Sequence, residues 1–167
     1  MNKPEFVCIT YIATTPERLW QALTEGNFTR RYWYDRRIES DWQIGSPVRF
    51  FDGASDDLTD SGVVLECDPP RRLVYTFKNE FDPQKSDQAP SRVAFTLEPY
   101  DGVVKLTLVH DRLHDLPAVE HFREGWAPIL SSLKTFLETG DPLPQLRKFE
   151  EQGRVGRAGG AEVQPRR

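Results

Sequence analysis

The chain of 167 residues has only two cysteines and three histidines, and it has no long apolar run; each shortage closes off a class of function. Cys8 and Cys67 are too few for a disulfide scaffold and lack the close spacing of a metal knuckle. That suits a reducing compartment and marks both as small core or near-core residues. Nowhere do about 18 apolar residues follow one another, so no stretch reads as a membrane-spanning helix. The opening MNKPEFVCITYI lacks the apolar core and cleavage site of a signal peptide, and the expected location is cytoplasmic. Phosphate loop, dinucleotide fingerprint and nucleophile elbow are all missing, and no cofactor is expected.

The histidines do not make a metal site. His110 and His114 are four apart, but the first belongs to a strand and the second to the following loop, so the spacing does not align them as it would on a helix. His121 lies beside an apolar helical stripe. In the loop DGASDDLTDSG, Asp52, Asp56, Asp57 and Asp60 do not match calcium-loop spacing and no glutamate closes the set, so a solvated hairpin turn is expected.

Basic charge is scarce in the body of the chain. Residues 147–167 carry six basic and three acidic groups, which leaves residues 1–146 at −7 out of the net −4. A nucleic-acid-binding body needs a basic face to neutralise phosphates, so no nucleic-acid partner is expected. RRYWYDRR mixes arginines with aromatics, but on an acidic domain it reads as a helix end with snorkelling arginines. The Gly-rich stretch 147–167 has almost no large apolar residue and is expected to be a disordered tail after one domain spanning 1–146.

What the sequence has in quantity is periodicity. From Pro117 to Gly140, apolar residues fall at Val119, Phe122, Trp126, Ile129, Leu130, Leu133 and Leu137, one stripe of a long helix. Pro117 suits its first turn and Gly140 a left-handed residue past its end. Gly125-Trp126-Ala127-Pro128 predicts a bend in the middle, with two readings open: a tolerated kink with Trp126 as ordinary core, or a lift off the sheet that leaves a cavity walled by Trp126. Ahead of this helix, Glu5 to Ala13 reads as a strand, and Thr15-Pro16-Glu17 starts a helix with Leu19, Trp20 and Leu23 on its apolar face. A second short helix holds Phe28 to Tyr34. The period then shifts to 2. In LVYTFKN, SRVAFTLEPY and VVKLTLVHD, alternation points Leu73, Tyr75, Phe77, Val93, Phe95, Leu97, Val104, Leu106, Leu108 and His110 to one face. The sum is an α+β chain of about six to seven antiparallel strands, two short helices after strand 1, and one long C-terminal helix covering the sheet.

That order resembles the helix-grip fold of the SRPBCC or START-like superfamily. YIATTPERLWQALTEGNFTRRYW, SGVVLECDPPRRLVYTF, VKLTLVHD and GWAPILSSLKTFLETG resemble the family of activator of heat-shock protein ninety ATPase homologues, over roughly residues 5–142. The resemblance implies a curved sheet wrapped round the long helix and a cavity that superfamily members use for lipids, steroids, polyketides or other apolar ligands. It also implies possible partners: an apolar small molecule first, then a chaperone or another protein, or a second copy in a homodimer, with a role in stress response. The eukaryotic activators carry a separate N-terminal domain with the main stimulating motif. This sequence begins at its first strand, so ATPase activation ranks second and a cyclase-like enzyme third.

The cavity wall expected on this basis comprises Tyr11, Trp33, Phe50, Leu65, Tyr75, Phe77, Phe95, Leu106, Leu108, His110, Phe122, Trp126, Ile129 and Leu133. Apolar burial would drive binding, and His110 and Tyr75 would orient the ligand. For His110 two roles stand open. Paired with Tyr75 or Tyr11 it could donate to a ligand carbonyl or act as a general base; or it could be a structural latch bonded to the opening of the long helix, the preferred reading.

Overall fold

The computed structural model describes residues 4–83 and 87–144. The expected tail, 147–167, lies outside the described residues. Strand β1 (Phe6–Ile12) is followed by α1 (Pro16–Thr24) and α2 (Gly26–Tyr32). Then come β2 (Arg36–Glu39), β3 (Pro47–Asp52), β4 (Leu58–Asp68), β5 (Arg72–Asn79), β6 (Ser91–Tyr100) and β7 (Val103–Asp111), and last α3 (Leu116–Thr139). All neighbours pair antiparallel in the order β1-β7-β6-β5-β4-β3-β2, a sheet curled into a half-barrel around α3. This is the helix-grip architecture expected above.

Local chemistry sets the element ends. The Thr15 hydroxyl accepts from the Arg18 N–H at 3.2 Å, capping α1, with proline in its first turn. At α3 the Asp115 carboxylate accepts from the Ala118 N–H at 2.8 Å, and Gly140 closes the helix at φ 90°, a left-handed conformation that glycine adopts without a Cβ penalty. The curl has local causes too. Register shifts between Phe50 and Phe51 and between Val64 and Glu66 mark bulges that bend β3 and β4. Next to the second bulge, a Cβ on Gly62 would sit 1.7 Å from the Thr76 carbonyl oxygen, so only glycine lets β4 lie this close to β5.

Period-2 alternation delivers one apolar face to the core. Leu73, Tyr75, Val93, Phe95, Leu97, Val104, Leu106 and Leu108 are buried on the inner face, opposite Trp126, Ile129, Leu130, Leu133, Phe136 and Leu137 of α3. Phe136 extends the stripe read from the sequence: it stacks on Tyr32 at 6.4 Å, with the Arg31 guanidinium 4.9 Å from its ring centre. Helix α3 runs continuously through Pro128. The basic stretch after α2 is neutralised locally, Arg30 by Asp35, Arg36 by Asp52, and Arg37 by both Glu39 and Asp56. Two of the four loop aspartates are thereby spent on arginines.

Candidate functional site

Alternation along β7 carries His110 to the inner face, where it is fully buried between β6 and α3. The Trp126 indole N–H donates to His110 Nδ1 at 2.9 Å. An indole nitrogen can only donate, so Nδ1 is unprotonated and the ring proton resides on Nε2. That N–H faces Ser91 Oγ at 2.7 Å, and the Ser91 hydroxyl donates in turn to the Phe77 carbonyl at 3.1 Å. Three bonds thus tie α3 to β7, β6 and β5. Burial disfavours the imidazolium and brings the His110 pKa down to about 4, against a smaller upward pull from Asp111.

This polarity decides what the pair can do. In a Ser–His hydrolytic pair the imidazole accepts the serine proton. Here Nε2 already carries the proton and the acceptor nitrogen is taken by Trp126, so Ser91 is not activated. His110 acts as a latch, though not where the sequence placed it: it grips α3 near its middle, at Trp126, because the residues that open the helix lie beyond the end of β7.

Around Trp126 the space is filled. Its ring lies 5.0 Å from Trp33, 5.9 Å from Phe95 and 6.2 Å from His110 between centres, so the cavity expected at this point is occupied by core side chains. Phe50 and Tyr75 continue the same aromatic layer. Tyr75 is fully buried, its hydroxyl has no hydrogen-bond partner among the described residues, and burial raises its pKa well above the ordinary phenol value.

The opening is elsewhere. Where β5 and β7 end and β6 and α3 begin, sheet and helix part around a cavity of about 340 Å³. Phe77, Leu113 and Phe122 supply its apolar wall; Asn79, Ser91 and Ala118 also line it, together with the exposed Arg112, His114 and His121. Phe77 and Phe122 meet edge to face at 6.0 Å, and Phe122 lies 4.1 Å from the His110 ring centre. The cavity floor is therefore the back of the His110 latch. Arg112 takes φ 56°, a left-handed turn between β7 and the Asp115 cap that leads the chain off the sheet and leaves the seam open.

The residues predicted from sequence divide accordingly. Trp33, Phe50, Tyr75, Phe95, Leu106, Leu108, Trp126, Ile129 and Leu133 are packed core, and His110 is buried beside them. Phe77 and Phe122 are half-buried and face the cavity. Tyr11 is corrected: it points outward from β1, is 43% exposed and lies against Tyr100, because Phe6 and Ile12 take the inner face of that strand. Leu65 is corrected too; it is half-buried at the β4 bulge and does not join the core cluster. Sequence reasoning passed over Ser91, although its parity with Val93 and Phe95 already puts it on the inner face. Leu113, Arg112 and Ala118 carried no signal, being positioned by the loop and the first turn of α3.

Comparison with known proteins follows the same lines. Residues 13–138 match the family model described as Activator of Hsp90 ATPase homolog 1-like protein. No curated protein matches the chain. Solved structures of like fold include the Aha1 dimer of Colwellia psychrerythraea, 21% identical with a TM-score of 0.67, covering 82% of this chain and 98% of that one. An Hsp90 activator of Plasmodium falciparum is 20% identical with a TM-score of 0.67, over 80% of this chain and 95% of its own. CalU16 of Micromonospora echinospora is 23% identical with a TM-score of 0.65, over 92% and 86%. At these identities the likeness is one of fold.

Proposed function

This chain belongs to the Activator of Hsp90 ATPase homolog 1-like family, and from that premise we propose that it binds a small, largely apolar molecule at the seam between sheet and α3. One observation carries the reading: the cavity of about 340 Å³ walled by Phe77, Leu113 and Phe122. A space of this size is at the lower end of ligand sites, which combine apolar walls with a few polar groups. The reading moves the expected binding site by about one turn of α3, from Trp126 to Phe122, and keeps a cytoplasmic setting and a stress-linked role as expectations. Native mass spectrometry of the protein from its expression host, with extraction of any adduct, tests it. The expected result is an apolar adduct that is lost in Ala118→Trp, a substitution that fills the cavity from the first turn of α3. A clean mass together with no thermal shift across a lipid and polyketide panel would sink it.

A second reading, a chaperone-associated interaction module or a homodimer, draws on a different surface. Val7, Ile9, Tyr11 and Tyr100 are exposed on the outer face of the sheet. Pull-down with a chaperone ATPase and sedimentation of the purified protein test that reading, and Ile9→Lys would abolish either association while leaving cavity binding intact.

A further inference from the structure

Resting on the cavity reading, we propose that the molecule held at the seam is an amphipathic anion, its apolar body against Phe77, Leu113 and Phe122 and its acidic group at Arg112 and Asn79.

The polar part of the lining is rich in donors and poor in acceptors. Seven arginines among the described residues stand against carboxylates, and Arg112 pairs with none. It lines the cavity instead, on a left-handed backbone that non-glycine residues adopt only where the surrounding structure holds it. Asn79 Oδ1 already accepts the N–H groups of Phe81 and Asp82, both at 2.9 Å, which leaves its amide N–H2 as the free end of that side chain. His114 and His121 also line the cavity, each able to donate one ring N–H. Asp115, the one carboxylate in the lining among the described residues, caps α3 through Oδ1. A guanidinium and an amide beside an apolar wall recognise a carboxylate or sulfonate through charge-assisted bonds, and a neutral compound leaves those donors unpaired. With Lys78 and Arg112 against Asp115, the lining is net positive on a body of net charge −7 across residues 1–146, so an anion is drawn to this part of the surface in preference to the rest.

Two fluorescent probes that differ by one sulfonate separate the ideas: 1-anilinonaphthalene-8-sulfonate and neutral N-phenyl-1-naphthylamine. The expected result is that the sulfonate binds about tenfold more tightly than the neutral probe, and that Arg112→Asn removes the difference by weakening the sulfonate alone. Asparagine suits the left-handed backbone, so the variant keeps its fold, checked by its melting temperature. Ala118→Trp, or Ala89→Trp on the adjoining loop if the helix variant unfolds, should abolish binding of both probes. Equal affinity for the two probes, or a sulfonate affinity unchanged in Arg112→Asn, overturns the anion proposal and leaves the cavity reading standing. Binding of neither probe, or binding unaffected by the filling variants, overturns both.

Discussion

Acid should weaken this protein at His110. His110 is neutral in the folded chain, with its pKa lowered from 6.5 to about 4 by burial. An unfolded chain takes up that proton near pH 6.5, whereas the folded one refuses it until about pH 4. The unfolded state therefore binds more protons across this window, and stability falls as pH falls through it. Each pKa unit is worth about 1.4 kcal/mol, so the full loss is about 3 kcal/mol, of which roughly 2.5 is spent between about pH 7.5 and 4.5. The perturbation is His110→Gln, which abolishes the titration. Gln keeps a donor toward Ser91 and leaves the Trp126 indole N–H unpaired, so the variant is less stable at neutral pH by about 1–3 kcal/mol. Urea unfolding followed by Trp fluorescence at pH 7.5 and 4.5 reads the effect as a double difference. Other groups with shifted pKa values, such as Asp60 (raised mainly by burial) and Asp41 (lowered mainly by its bond with Ser46), are common to both proteins and cancel. The wild type should lose about 2–3 kcal/mol more than the variant on acidification. Parallel pH profiles would refute the neutral, indole-bonded His110.

Two further substitutions probe the frame of the site. Tyr75→Phe deletes a buried hydroxyl that has no partner among the described residues and should raise stability by about 1 kcal/mol, seen as a higher urea midpoint at unchanged slope; a loss of that size would show the hydroxyl to be satisfied. Gly62→Ala drives a methyl against the Thr76 carbonyl and should cost roughly 3 kcal/mol, with β4–β5 amide protection falling first; a neutral effect would mean the two strands can separate freely.

Much of this molecule was legible where a single rule governs. Strict alternation set the inner faces of β5, β6 and β7, and Pro117 and Gly140 marked the two ends of α3 to within a residue. Tyr11 was misread because FVCITYI is apolar on both faces; Val7, Ile9 and Tyr11 lie on the outer face and stay exposed while Phe6 and Ile12 go in. Leu65 fell on a bulge, where counting by two fails. Gly125 and Pro128 are helix-weakening in isolation, yet the packing of Trp126 on Trp33, Phe95 and His110 fills the space a bend was expected to leave. The seam cavity depends on the path of residues 112–115, a left-handed turn followed by a cap. Loop paths of that kind follow from tertiary packing and leave no periodic trace.

The most direct test of a seam site is an amide chemical-shift titration of the 15N-labelled protein with N-phenyl-1-naphthylamine. A site bounded by Phe77, Leu113 and Phe122 predicts saturable shifts confined to residues 77–79, 88–89, 91, 112–118 and 121–122. Shifts centred on Val7, Ile9 and Tyr11, or none at saturating probe, would contradict it.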